Sequence, residues 1–320
     1  MCQMFSWRLK GLIQEMKAFK EFRREDKAFW FFIRFISERL GYTNRKTSSI
    51  NVYTFEQIDA LCNKENIDVS VERINKAVLY CRMRADVINN IIRNNLMTAE
   101  EASEVFEELY NAGEYSSKLI MNKQSGEKKK VNYFTAIVTM IAERVLSDGK
   151  DLDFDPDPRG LIYLLNNRKI IGGSSRRFDG AYPSIYSPRI VWEIKEYYYT
   201  STFGSRIADS VYETQLDGYE FNEIYDRTGQ KVHHVIFVDS YKVWWEMGKS
   251  YTCRLIDALN MGLVDDVIFG REVLTEWEPI LKEFKDIGAE SSPQYSFTNA
   301  SQDWGMVAEP QAQYGENKDK

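Results

Sequence analysis

The sequence predicts a mixed α/β fold, and three observations predict it. Apolar residues recur at three- and four-residue intervals through the first third of the chain, as on helices. Two later runs, residues 189–198 and 231–240, are rich in Val, Ile, Trp, Tyr and Phe, as strands are. Between them, residues 203–225 read as a helix. Strand, helix, strand implies a right-handed crossover and a partly parallel pair. The expected architecture is an all-helical N-terminal region (residues 1–130) and a core with a central mixed sheet flanked by helices (131–290). A Ser-, Gln-, Asn-, Gly- and Pro-rich stretch follows (291–320), with the composition of a disordered tail.

The elements follow in order. Leu12, Met16, Phe19 and Phe22 lie at helical spacing among Lys and Arg. The run F-W-F-F-I-R-F-I, residues 29–36, is too short to span a membrane and contains Arg34, so it reads as a buried helix. Thr54 caps one helix and Ser70 a longer one, with a short connection between them. That order resembles a helix-turn-helix. Its second helix carries Arg73, Lys76, Arg82 and Arg84, which could reach DNA phosphates or guanines; the alternative is an ordinary helix pair. Thr98 and Glu101 form a capping box for the next helix. N-K-Q-S-G-E-K-K-K, residues 122–130, is the expected domain boundary. Residues 133–147 form a helix with Glu143 near its end, and residues 161–165 fit helix or strand equally. An irregularity is expected at Gly218 in the crossover helix, and a last strand and helix close the core.

Composition narrows the class. Of 320 residues, 43% are hydrophobic and 28% charged, which is globular. The net charge of −6 is uneven: residues 1–130 carry +4 and the remainder −10. The basic half is the better candidate for phosphate contacts. Cys2, Cys62, Cys81 and Cys253 have neither zinc-site nor disulfide-framework spacing, which suits reduced thiols in a cytoplasmic protein. No signal peptide is legible at the N-terminus. Two tempting motifs fail. The aspartates from Asp151 lack the EF-hand pattern, with Pro156 sixth and Ile162 twelfth. Gly248-Lys249-Ser250 lacks the earlier glycine of a phosphate loop, because Val243 stands there. His233 and His234 are adjacent, so on a strand they face opposite ways and cannot share a metal.

The chemistry centres on residues 176–219. On a strand, Glu193 and Lys195 face one side and Trp192 and Ile194 the other. Phe178 to Tyr182 is a second extended candidate, and the proline-containing Y-P-S-I-Y-S-P behind it reads as a turn. A hairpin there brings Asp179 close to Glu193. Two clustered carboxylates favour a divalent cation, and all-oxygen ligands suit Mg²⁺ rather than Zn²⁺. A neighbouring lysine can orient a water or stabilise charge on a phosphate. The alternative is a surface strand on which Glu193 and Lys195 form a solvated pair.

Asp179 followed by Glu193-Ile194-Lys195 resembles the signature of the PD-(D/E)XK nuclease superfamily, which includes type II restriction endonucleases. Phe178 replaces the usual proline before the aspartate. The resemblance implies a restriction-endonuclease-like core and Mg²⁺-dependent cleavage of DNA, with Mn²⁺ able to substitute. It implies Asp179, Glu193 and the main-chain carbonyl of Ile194 as metal ligands, Glu143 completing the site, and Lys195 serving the attacking water. Gln215 and Tyr219 resemble the Q-x-x-x-Y motif of the exonuclease-like branch and would be accessory residues. Double-stranded DNA, a homodimer with two active sites, and a companion DNA methyltransferase follow from the same resemblance. Two further readings stay open: a repair exonuclease or junction resolvase on the same core, and an inactive DNA-binding module.

Overall fold

The computed structural model describes residues 17–44, 46–121, 130–148, 151–200 and 204–290. Leu12, Met16, most of the expected boundary at 122–130 and the expected tail lie outside the described residues. The fold is mixed α/β, with helices on both faces of a mixed sheet.

Among the described residues, five helices of ten residues or more precede the sheet. They are α1 (Lys27–Leu40), α2 (Phe55–Lys64), α3 (Val71–Val87), α4 (Ala99–Ala112) and α5 (Tyr133–Leu146). The first four begin where the chain supplies a side-chain cap: Asp26, Thr54, Ser70 and Thr98 each accept a first-turn amide. The two short strands β1 (Thr43–Asn44) and β2 (Ser49–Ile50) pair antiparallel between α1 and α2, so the region expected to be all-helical is not: its polar break at 41–50 turns as a small hairpin. Residues 161–165, ambiguous in sequence, contribute to β3 (Tyr163–Asn166), which makes a hairpin with β4 (Lys169–Gly173).

The central sheet has the order β5-β6-β7-β8: β5 (Gly180–Tyr182), β6 (Ile190–Glu196), β7 (His233–Asp239) and β8 (Asp266–Phe269). β5 runs antiparallel to β6, whereas β6, β7 and β8 are parallel. Helix α6 (Ser205–Thr228) connects β6 to β7, and α7 (Lys249–Asn260) leads to β8. A final helix, α8 (Glu278–Glu290), follows a π-helical turn at Val273–Trp277.

Alternation along the strands builds two cores. Ile190 and Trp192 of β6 and Val235 and Phe237 of β7 pack against α4, α5 and the Trp277 segment. On the other face, Ile236 and Val238 of β7 and Val267 and Phe269 of β8 pack against α1, α3 and α7. Val191 lies on that second face too, with Phe221 and Ile224 of α6. The packing therefore changes sides at Leu96–Met97. Helix α4, expected within the N-terminal region, belongs with α5 on the far side of the sheet.

Two expectations are corrected. α6 is continuous through Gly218, where a Cβ would lie 2.1 Å from the Leu263 carbonyl oxygen. The glycine serves close approach to backbone rather than a break. Arg84, expected to face DNA, is fully buried. Its Nη1 donates to both carboxylate oxygens of Asp257 at 3.0 Å, and its Nη2 to Ser37 at 2.8 Å. Arg84 thus ties α3 and α1 onto α7. Arg73 and Lys76 pair with Asp26 and Glu25 at 2.8 Å, and Arg82 is exposed.

Candidate metal centre

The cluster begins where β5 ends. Gly180 faces Trp192, and a Cβ there would fall 1.9 Å from the indole, so only glycine lets β5 close on β6. Asp179 continues past this contact. Its amide donates to the Trp192 carbonyl at 3.0 Å, and its Oδ2 accepts from the Ile194 amide at 2.7 Å. The side chain thus takes the place of a strand partner for Ile194. Burial, then the Glu193 charge, pushes the Asp179 carboxyl up to about 7.

Glu193 and Lys195 are buried on the face that packs against α6. Lys195 Nζ donates to Glu193 Oε1 at 2.8 Å and to Glu213 Oε2 of α6 at 3.0 Å. Burial alone would lower the ammonium pKa, but the Glu193 carboxylate and its hydrogen bond hold it above the usual value. Lys195 is therefore a charged donor at neutral pH. Glu213 shifts the other way: burial would raise it, and Lys195 brings it below the usual range.

Arg176 completes the cluster. Its Nε donates to Asp217 Oδ2 at 3.0 Å, its Nη2 lies 3.0 Å from Glu193 Oε1, and its Nη1 donates to the Arg177 carbonyl at 3.0 Å. Burial, with a smaller contribution from Glu193, pushes Asp217 up to about 7 against the pull of Arg176. Three enclosed atoms here lack a hydrogen-bond partner: Glu193 Oε2, Asp217 Oδ1 and Arg176 Nη2. Counting Asp179, Glu193, Glu213 and Asp217 against Arg176 and Lys195, the formal charge is −2 with every group ionised.

Hard oxygen donors, unpartnered carboxylate oxygens and a charge of −2 fit a divalent cation of the Mg²⁺ class. Among the described residues, no three His, Cys, Asp or Glu side chains converge as a ready metal cage. Lys195 and Arg176 stand between the carboxylates, and Mg²⁺ commonly needs only one or two carboxylates beside its waters.

The structure brings together Asp179, Glu193 and Lys195. It does not bring Glu143 to them. α5 packs on the opposite face of the sheet, and the Glu143 carboxylate accepts from the Ser116 amide at 2.5 Å and from the amide and hydroxyl of Ser117. Glu143 braces the loop after α4. Nor do Gln215 and Tyr219 turn toward the cluster, because they lie two residues out of phase with Glu213 and Asp217, roughly the other side of α6. Tyr219 is exposed, with the Lys27 ammonium over its ring. Sequence reasoning missed Arg176, Glu213 and Asp217. A signal for Asp217 was present: it shares the helix face of Thr214, Gly218 and Phe221, and an acid within a buried stripe calls for a partner.

The fold and the cluster define a mixed α/β protein with a carboxylate–lysine centre at a hairpin edge. The chain belongs to the family described as Domain of unknown function (DUF7687), whose model matches residues 97–284. A second model, Domain of unknown function (DUF7690), matches residues 16–91. All residues of the cluster fall within the first match, and the two matches meet near the change of sides at Leu96–Met97. No curated protein and no solved structure matches the chain. Among the described residues, no helix is long and apolar enough to cross a membrane.

Proposed function

We propose that the chain is a Mg²⁺-dependent deoxyribonuclease with a PD-(D/E)XK core, acting as a site-specific endonuclease in phage defence. The observation that carries this reading is the Asp179 carboxylate fixed on the Ile194 amide, beside Glu193 and Lys195 on one strand. Asp179 and Glu193 would hold the cation, with the Ile194 carbonyl as a further ligand. A bound divalent cation would supply Lewis-acid charge at the scissile phosphate and acidify the attacking water. Lys195, an ammonium in this arrangement, orients that water and stabilises charge developing on the phosphate through Nζ. Burial of Glu193 and Lys195 under α6 strengthens both effects by keeping the dielectric low. In this reading duplex DNA is the substrate, a homodimer supplies one site per strand, and a companion methyltransferase protects host DNA.

The test is cleavage of unmodified phage and plasmid DNA with Mg²⁺ by wild type, Asp179→Ala and Lys195→Ala. Discrete fragments from wild type are expected, with Lys195→Ala slower by about 10²–10³-fold and Asp179→Ala at background. Wild-type cutting that survives both substitutions would place the chemistry elsewhere. No cutting of any DNA would refute the activity.

A further inference from the structure

Two carboxylates from different elements meet on one guanidinium. Glu193 comes from β6 and Asp217 from α6, and Arg176 lies 3.0 Å from each. Both acids are more than nine-tenths buried, at 8% and 1% exposure, and each keeps one enclosed oxygen without a donor. Buried acids normally satisfy both oxygens, so these two oxygens, which meet no protein donor, are open to an ion in a way that a completed structural bridge is not. Arg176 does not neutralise the cluster, which retains a formal −2. Arg176 also has holdings of its own apart from the acids: Nη1 on the Arg177 carbonyl and the guanidinium over the Phe178 ring at 5.4 Å. Asp217 is well fixed, because the next residue, Gly218, brings α6 against the Leu263 backbone.

We propose that Asp217 is a divalent-cation ligand that shares an ion with Glu193, and that Arg176 competes with this ion for the same two carboxylates. The ion belongs to the hard class taken by oxygen donors, Mg²⁺ or Mn²⁺. The inference rests on reading the cluster as a cation-dependent nuclease centre, and it adds α6 to the elements that hold the cation.

The test is a Mn²⁺ titration of the full chain without DNA, following free Mn²⁺ by electron paramagnetic resonance. Wild type is compared with Asp217→Asn, Arg176→Gln and Asp179→Asn. Asp217→Asn should weaken Mn²⁺ binding about tenfold or more, or remove one equivalent. Arg176→Gln should bind Mn²⁺ more tightly than wild type, since it removes the internal competitor and leaves a formal −3. An arginine with a purely structural role would not produce that gain. Asp217→Asn binding as wild type does would overturn the proposal, and so would weakened or unchanged binding in Arg176→Gln. If circular dichroism shows Asp217→Asn to be unfolded, Arg176→Gln alone decides. Loss of binding in Asp179→Asn with Asp217→Asn unaffected would sink this inference and leave the nuclease reading standing. No Mn²⁺ uptake by wild type would sink both.

Discussion

Gly180 governs the centre without touching any charge. Its missing side chain lets β5 close on Trp192, and that closure positions the Asp179 carboxylate at the Ile194 amide. Gly180→Ala places a methyl group where the indole already stands. Overpacking of this kind typically costs about 1–3 kcal/mol. A urea melt of Gly180→Ala should therefore show a lower midpoint at unchanged slope, and an unaltered midpoint would mean that Trp192 can move aside. At this scale Asp179, Glu193 and Lys195 were legible because they lie within 17 residues on a hairpin. Arg176 lies close by in sequence, but its role depends on Asp217, 41 residues away. No local pattern announces such a pair.

Helices decide which acids can join the centre. α5 and α6 each offer a glutamate or aspartate, yet they cover opposite faces of the sheet. Of these two helices, α6 is the one whose acids reach Lys195 and Arg176. Glu143 instead receives the amides of Ser116 and Ser117. Glu143→Gln should therefore leave Mn²⁺ affinity unchanged while lowering stability by about 1–3 kcal/mol, the range for spoiling a partly buried hydrogen-bonded acid. Mn²⁺ titration and thermal melting of the same sample check both halves. A loss of Mn²⁺ affinity would restore Glu143 to the centre. The helices themselves were legible from spacing and caps, but the sheet face each would cover was not. Periodicity identifies a buried stripe without naming what buries it.

Among the described residues, burial pushes the carboxyls of Asp179, Glu196, Asp217 and Glu276 up to about 7, and raises those of Asp155 and Asp239 as well. Burial is the first cause in each. Such a group stays protonated in the folded chain while the unfolded chain ionises near pH 4. The folded state thus binds more protons between about pH 4 and 7, and stability falls as pH rises through that window. His234 works the other way. Burial lowers it to about 3, so its penalty appears below pH 6.5 and is relieved as pH rises. With these raised carboxyls against one histidine, the melting temperature without divalent cation should fall between pH 5 and pH 8. If the cluster takes the proposed cation, Mn²⁺ should recover part of the loss at pH 8, because it would bind the ionised form. A melting temperature that rises steadily over this range would contradict the assigned burial of these acids.

The sequence by itself determined the mixed α/β class, the capped helices before the sheet, the strand pair around a crossover helix, and the Asp179–Glu193–Lys195 constellation. Each is written in neighbouring residues through caps, periodicity or strand alternation. The tertiary structure decided which acids accompany that constellation, that Glu143 does not, and that Arg84 holds helices together instead of facing solvent. Those outcomes depend on which face of the sheet each helix covers. Burial then selects among the charges, because a charge taken from water must find a partner, and that partner can lie anywhere along the chain.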